Sequence, residues 1–159
     1  MNLIEIIDKY VELSIERDEL EKQIKGYHKN SEESIGLQNK LQKTNYQLSI
    51  VHKNYVQIIS KTKPEIISEV IKEINKKLDE LRRERTGIQH RIKLNYNYGD
   101  KAFRERKFKL EQSYNYNVGQ LQKKDTCISN KVNYYNKFLN HLKNLLPEEQ
   151  KKGVNLRKN

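Results

Sequence analysis

The residues able to do chemistry in this chain are mostly cations, and they are unevenly spread. Residues 1–80 hold 13 Lys/Arg against 14 Asp/Glu, a net of −1, whereas residues 81–159 hold 19 against 7, a net of +12. Arg82, Arg83, Arg85, Arg91 and Lys93 form one dense run, and Lys101, Arg104, Arg106, Lys107 and Lys109 form another. Tyr96 and Tyr98 stand between them, and six of the ten tyrosines fall between residues 96 and 135. Cations that track phosphates, interleaved with rings that stack on bases, suit nucleic acid and single strands in particular. Codon bias toward lysine would enrich both halves alike and would not add the arginines, so the asymmetry points to a binding surface. An ordinary solvated helix face accounts for the same charge, and an acidic protein would suit it as a partner.

Other chemistry is sparse. There is no phosphate-binding glycine loop, no His-x-x-x-His or Cys-x-x-Cys pair and no Gly-x-Ser-x-Gly elbow. His28, His52, His90 and His141 lie far apart and read as surface or seam residues. Cys127 has Lys123, Lys124 and Lys131 about a helical turn away, a setting that favours a thiolate, but it reads more simply as a small residue beside the seam. Glu69 and Glu73 keep ion-pairing distance in sequence from Lys72, Lys76 and Lys77, as on an exposed helix. The expectation is a non-enzymatic protein with no catalytic residue, metal, cofactor or small-molecule substrate.

The elements that must carry these cations are helices. Of the 159 residues 35% are hydrophobic and 33% charged, with two prolines, six glycines and no tryptophan, which leaves a β-sandwich without its turns and apolar strands. Leu3, Ile6, Tyr10, Leu13, Leu20 and Ile24 alternate steps of three and four with Arg17 in the gap, the repeat of a coiled-coil seam. The repeat falters over 26–36, where Asn30 and Glu33 have cap spacing, and resumes at Leu37, Leu41, Leu48, Val51, Tyr55 and Ile58. Pro64 suits the first turn of a new helix, with Thr62 and Glu65 at capping-box spacing. That helix carries Ile67, Ile71, Ile74, Leu78, Leu81, Ile88 and Ile92 to Asn95-Tyr96-Asn97-Tyr98-Gly99-Asp100, which reads as a turn. The last stripe runs from Phe103 through Leu110, Tyr114, Leu121, Ile128 and Tyr135 to Leu145, before Pro147.

Residues facing across an antiparallel hairpin have numbers with a constant sum, and a turn at 95–100 sets it at 195: Ile92 with Phe103, Leu81 with Tyr114, Ile67 with Ile128. The predicted fold is all-α, an elongated antiparallel coiled coil or helical bundle of three to four long helices. Helices 37–60, 65–95 and 101–146 share a core. Residues 1–29 form a helix that oligomerises or folds back, 30–146 the bundle with a basic tip at 82–109, and 147–159 a basic, mobile tail.

The leading functional expectation is a helical accessory protein, of viral or mobile-element type, that binds nucleic acid through Arg82, Arg83, Arg85, Arg91, Lys93, Tyr96, Tyr98, Lys101, Arg104, Arg106, Lys107 and Lys109. It would self-associate through the N-terminal seam. The alternatives are a structural scaffold, adaptor or virion component, or an inhibitor, whose basic face meets an acidic protein. A lone cysteine and the absence of a leader or a spanning apolar run point to the cytoplasm and away from membranes.

Overall fold

The computed structural model describes residues 2–29 and 31–148. Among them are four helices and no strand: α1 (Leu3–Ile24), α2 (Glu32–Ile59), α3 (Pro64–Arg104) and α4 (Phe108–Leu145). The all-α helical bundle read from the stripes is therefore the architecture. The chain forms two compact units, one from the described residues up to Asn75 and from Tyr134 onward, the other from Lys76–Asn133.

Local chemistry explains the helix ends. Asn2 caps α1 reciprocally with Glu5: its side-chain oxygen accepts from Glu5 N at 2.9 Å, and its own N–H donates to Glu5 Oε2 at 2.8 Å. Ser31 caps α2, its hydroxyl accepting from Ser34 N at 3.1 Å. The expected cap Asn30 and the tail residues 149–159 lie outside the described residues. Pro64 opens α3 as its missing N–H predisposes it to. Thr62 does not cap it; its hydroxyl donates back to Ile58 O at 2.8 Å, closing the end of α2 instead.

The first unit is organised around α1. Its buried residues are Leu3, Ile6, Ile7, Val11, Leu13, Ser14, Ile15 and Leu20. On a helical wheel these span roughly 220° of circumference, and Glu5, Lys9, Glu12, Glu16 and Glu19 fill the rest. So wide an apolar arc must be covered from several sides. α2 packs along it. α4 is joined to it by polar and aromatic contacts: Tyr135 OH donates to Asp8 Oδ1 at 2.7 Å, and Tyr10 meets Phe138 edge-on at 5.2 Å. A closed triad completes the junction. Arg17 Nη2 donates to Tyr134 OH at 2.7 Å, Tyr134 OH donates to Asp18 Oδ2 at 2.7 Å, and Arg17 pairs with Asp18 Oδ1 at 2.8 Å. Ile71, Ile74 and Leu142 are also sealed from solvent in this unit, each at 0% exposure.

The structure takes one of the two courses expected for residues 1–29 and departs from the expected core. The seam expected to join copies, Leu3, Ile6, Leu13 and Leu20 with Tyr10 and Ile24 half-buried, is used inside one chain, so α1 takes the fold-back course. The three-helix core of 37–60, 65–95 and 101–146 is replaced by a four-helix unit to which α3 and α4 contribute only their residues up to 75 and from 134.

The second unit is a hairpin of two helical segments, and its register differs from the expected one. Arg85 Nε donates to Asp125 Oδ1 at 3.0 Å, Asn117 Nδ2 donates to Asn95 Oδ1 at 3.5 Å, and the rings of Tyr98 and Tyr114 lie 5.6 Å apart. These pairs sum to 210–212 instead of 195, which moves the turn from 95–100 to 105–107. The reason is tertiary. Asn-Tyr-Asn-Tyr-Gly-Asp has turn propensity, but as helix it buries Gly99 and Ala102, sets Tyr98 on Tyr114 and lets Asp100 pair with Arg104 at 2.6 Å. Polar seam positions satisfy one another, with Lys124 on Glu84 at 3.0 Å beside the Arg85–Asp125 pair.

Two outcomes follow from the first unit. Ile6→Ala removes a side chain 1% exposed and should lower stability by about 3 kcal/mol. Its urea midpoint should not depend on protein concentration, as it would if the seam joined two chains. Burial, with the hydrogen bond to Asp18, pushes Tyr134 up to about 12; burial pushes Tyr55 up to about 12 and, with the bond to Asp8, raises Tyr135 further. The unfolded chain releases these protons near pH ~10 and the folded chain holds them longer, so stability present below that pH falls as pH rises through ~12. A urea series across this window, with tyrosinate absorbance reporting late-ionising rings, checks the sign.

Candidate functional site

The hairpin turn is built as a helix stop that favours glycine but holds arginine. Arg106 N donates to Phe103 O at 2.9 Å and Lys107 N donates to Ala102 O at 2.8 Å, the bond pair of a Schellman motif, with Arg106 at φ 57°. Side chains there crowd the backbone at a cost of about 1 kcal/mol. Lys107 O then accepts from Leu110 N at 3.0 Å and Glu111 N at 3.1 Å, starting α4. A cation is thus held at the apex against backbone preference, which is the kind of local strain that accompanies function.

Of the residues expected to meet nucleic acid, some are engaged within the hairpin. Arg82 pairs with Asp79 at 3.4 Å, Arg85 with Asp125 at 3.0 Å, Arg104 with Asp100 at 2.6 Å and Lys107 with Glu105 at 2.6 Å. The Glu105–Lys107 bond holds that carboxyl below the usual range and raises the ammonium, yet both groups are open to water. Exposed pairs of this kind contribute little and open readily to another anion. Arg85 is the exception, half-buried at the seam and holding Asp125, so its role is structural. Arg83, Arg91, Lys93, Lys101, Arg106 and Lys109 are exposed, with no carboxylate of the described residues within ion-pair distance.

Helical geometry sorts these cations further. Arg82, Arg83, Lys93, Lys101 and Arg104 fall within an arc of roughly 100° on α3, opposite the Leu81, Ile88 and Ile92 stripe. Arg91 falls on the other flank.

The aromatic residues are placed differently from expectation. Tyr96 and Tyr98 are not at a tip; they sit inside α3, each 51% exposed, with Gln122 Nε2 donating to Tyr96 OH at 3.1 Å and Tyr98 against Tyr114. The rings that flank the turn are Phe103 and Phe108, 56% and 55% exposed and 6.4 Å apart in a T-shaped pair. Phe108 is not among the expected contacts. A turn at 95–100 places it inside a helix, and its apolar character beside Arg106-Lys107 is the one signal available.

The remaining groups are dispersed. Cys127 is half-buried and free, and among the described residues no group of three or more His, Cys, Asp or Glu could hold a metal ion. Among the described residues no helix is long and apolar enough to cross a membrane. No family model, no curated protein and no solved structure matches this chain.

The strained apex makes a clean prediction. Arg106→Gly should raise stability by about 1 kcal/mol in urea denaturation, because glycine adopts the left-handed conformation without a Cβ clash. A loss of stability would mean that the guanidinium makes a folding contact that outweighs the strain.

Proposed function

We propose that the hairpin unit binds nucleic acid, with the exposed cations of one α3 face following phosphates and the rings around the turn stacking on bases. The observation that carries this reading is the arrangement at the turn: Arg106 at φ 57° between two half-exposed phenylalanines in sequence, with Lys101 and Lys109 nearby and no carboxylate of the described residues within ion-pair distance of either. Residues 76–133 carry 15 Lys/Arg against 7 Asp/Glu, so this unit alone bears +8 of the net +11. Base–aromatic stacking tolerates any sequence and needs splayed bases, so single strands are the preferred form. On this reading the protein is a non-enzymatic accessory factor.

A second reading has its own support. Phe103, Phe108 and Leu110 expose an apolar cluster within a cationic surround, which an acidic protein with apolar anchors would also fit. The N-terminal seam is not retained as an assembly surface, since the chain itself covers it.

Fluorescence anisotropy of labelled single-stranded and duplex oligonucleotides at about 50 and 200 mM salt separates these readings. Five phosphate contacts would weaken duplex binding several hundredfold over that interval and single-strand binding about a hundredfold. Reversing charge at Arg83, Lys93 and Lys101 should abolish binding and leave the helical circular dichroism intact. Phe103→Ala with Phe108→Ala should weaken single-strand binding by about 2 kcal/mol and duplex binding far less. Absence of binding at the lower salt removes the proposal and favours the acidic protein.

A further inference from the structure

The four-helix unit carries an open groove of about 610 Å³, within the roughly 300–1,000 Å³ typical of small-molecule sites. Its walls are rings. Phe138 is edge-on to Tyr10 at 5.2 Å and to Tyr55 at 5.1 Å, and His141 lies 5.9 Å from Tyr55. Val56 and Leu145 line it while remaining 50% and 44% exposed, so apolar surface is left for an occupant to cover.

Two polar groups at this groove lack a hydrogen-bond or ion-pair partner among the described residues. Tyr55 is 5% exposed, and its hydroxyl is shut off from solvent with no hydrogen-bond partner among the described residues. Such an orphan costs stability and is rarely kept without a reason. Lys137 Nζ sits 5.1 Å over the Tyr134 ring, with no carboxylate of the described residues within ion-pair distance. Arg17, the other lining cation, is already held by Asp18 at 2.8 Å. None of the described residues lining it is acidic.

We infer that this groove is a binding site for a small aromatic anion, its flat body lying against the Tyr10, Tyr55 and Phe138 rings and its acid group meeting Lys137. An aromatic cage alone would also suit a cation, but cages that take cations have no ammonium of their own in the wall. A wholly apolar occupant, such as a partner helix, would bury Lys137 unpaired. An anion with an aromatic body meets both the rings and Lys137. None of its lining residues is a hairpin cation, and its test does not depend on them.

The probe is anilinonaphthalene sulfonate, whose fluorescence rises on leaving water, beside neutral N-phenylnaphthylamine, which has the same rings without the acid. The full chain should take up one sulfonate dye per molecule, saturably. Lys137→Gln should weaken it about tenfold, the loss of one charge-assisted contact, and leave the neutral dye unchanged. Tyr55→Phe removes a hydroxyl enclosed beneath the groove, so it should raise the melting temperature and leave the affinity for both dyes unchanged, which separates the site from a general effect on folding. Val56→Trp, at a half-exposed position, should fill the groove and remove both dyes with the circular dichroism unchanged. No saturable uptake by the parent chain, or a sulfonate affinity in Lys137→Gln equal to the parent's, overturns the site. So does a dimer in sedimentation that excludes the dye and is dissociated by Val56→Trp, since a second copy would then be the occupant.

Discussion

Everything in the four-helix unit depends on covering α1. A helix with apolar residues over more than half its circumference cannot rest against one neighbour, because the uncovered part would leave side chains such as Ile7, Val11 and Ile15 in water at about 1.5–3 kcal/mol each. The chain meets this demand with its own α2 and with contacts from the end of α4. It adds direction to the packing with buried or half-buried hydrogen bonds. Hydrophobic burial sets that α1 is enclosed; Asp8–Tyr135 and the Arg17–Asp18–Tyr134 triad set its register against α4, since a one-residue slip would break bonds of 2.7 Å.

The hairpin unit follows a different balance. Its fully enclosed apolar side chains are few, Leu78 and Ile88 among them, and much of its seam is polar. Paired seam groups such as Arg85–Asp125 and Asn95–Asn117 contribute little individually, but they penalise other registers, in which each charge would face an apolar residue. Register specificity is thus gained with modest stability. At the apex the balance tips further, because Arg106 occupies a backbone conformation that glycine would take without strain. The apex is a place where a local rule is broken with no ion pair or side-chain hydrogen bond from Arg106 among the described residues to offset it, and such places are where function is sought.

Helix existence and many limits were legible in the sequence. Alternating steps of three and four marked every helix, Pro64 marked the start of α3, and Pro147 marked the end of α4, because proline constrains backbone dihedrals locally whatever surrounds it. The charge division was equally legible, since counting charges needs no coordinates. The misreadings share a cause. Asn95 to Asp100 has local turn propensity worth a few tenths of a kcal/mol per residue, and the packing of Tyr98 and Gly99 against Tyr114 of α4, with the burial of Ala102, outweighs it. One displaced turn then moved every cross-helix pair and put Phe103 with Phe108 where Tyr96 and Tyr98 had been expected.

The sequence by itself determined that the protein is helical, that its helices are amphipathic and that its second half is strongly basic, for these are properties of composition and of spacing along one strand of chain. Tertiary structure decided which stripe meets which. It turned α1 inward against its own chain, because its second apolar flank of Ile7, Val11 and Ile15 could be covered there. It also decided which cations keep carboxylates and which face water, and it gathered Tyr10, Tyr55, Lys137 and Phe138 from three helices into one groove. Those juxtapositions depend on distances across the fold, which a periodicity of 3.6 residues along a single helix does not encode.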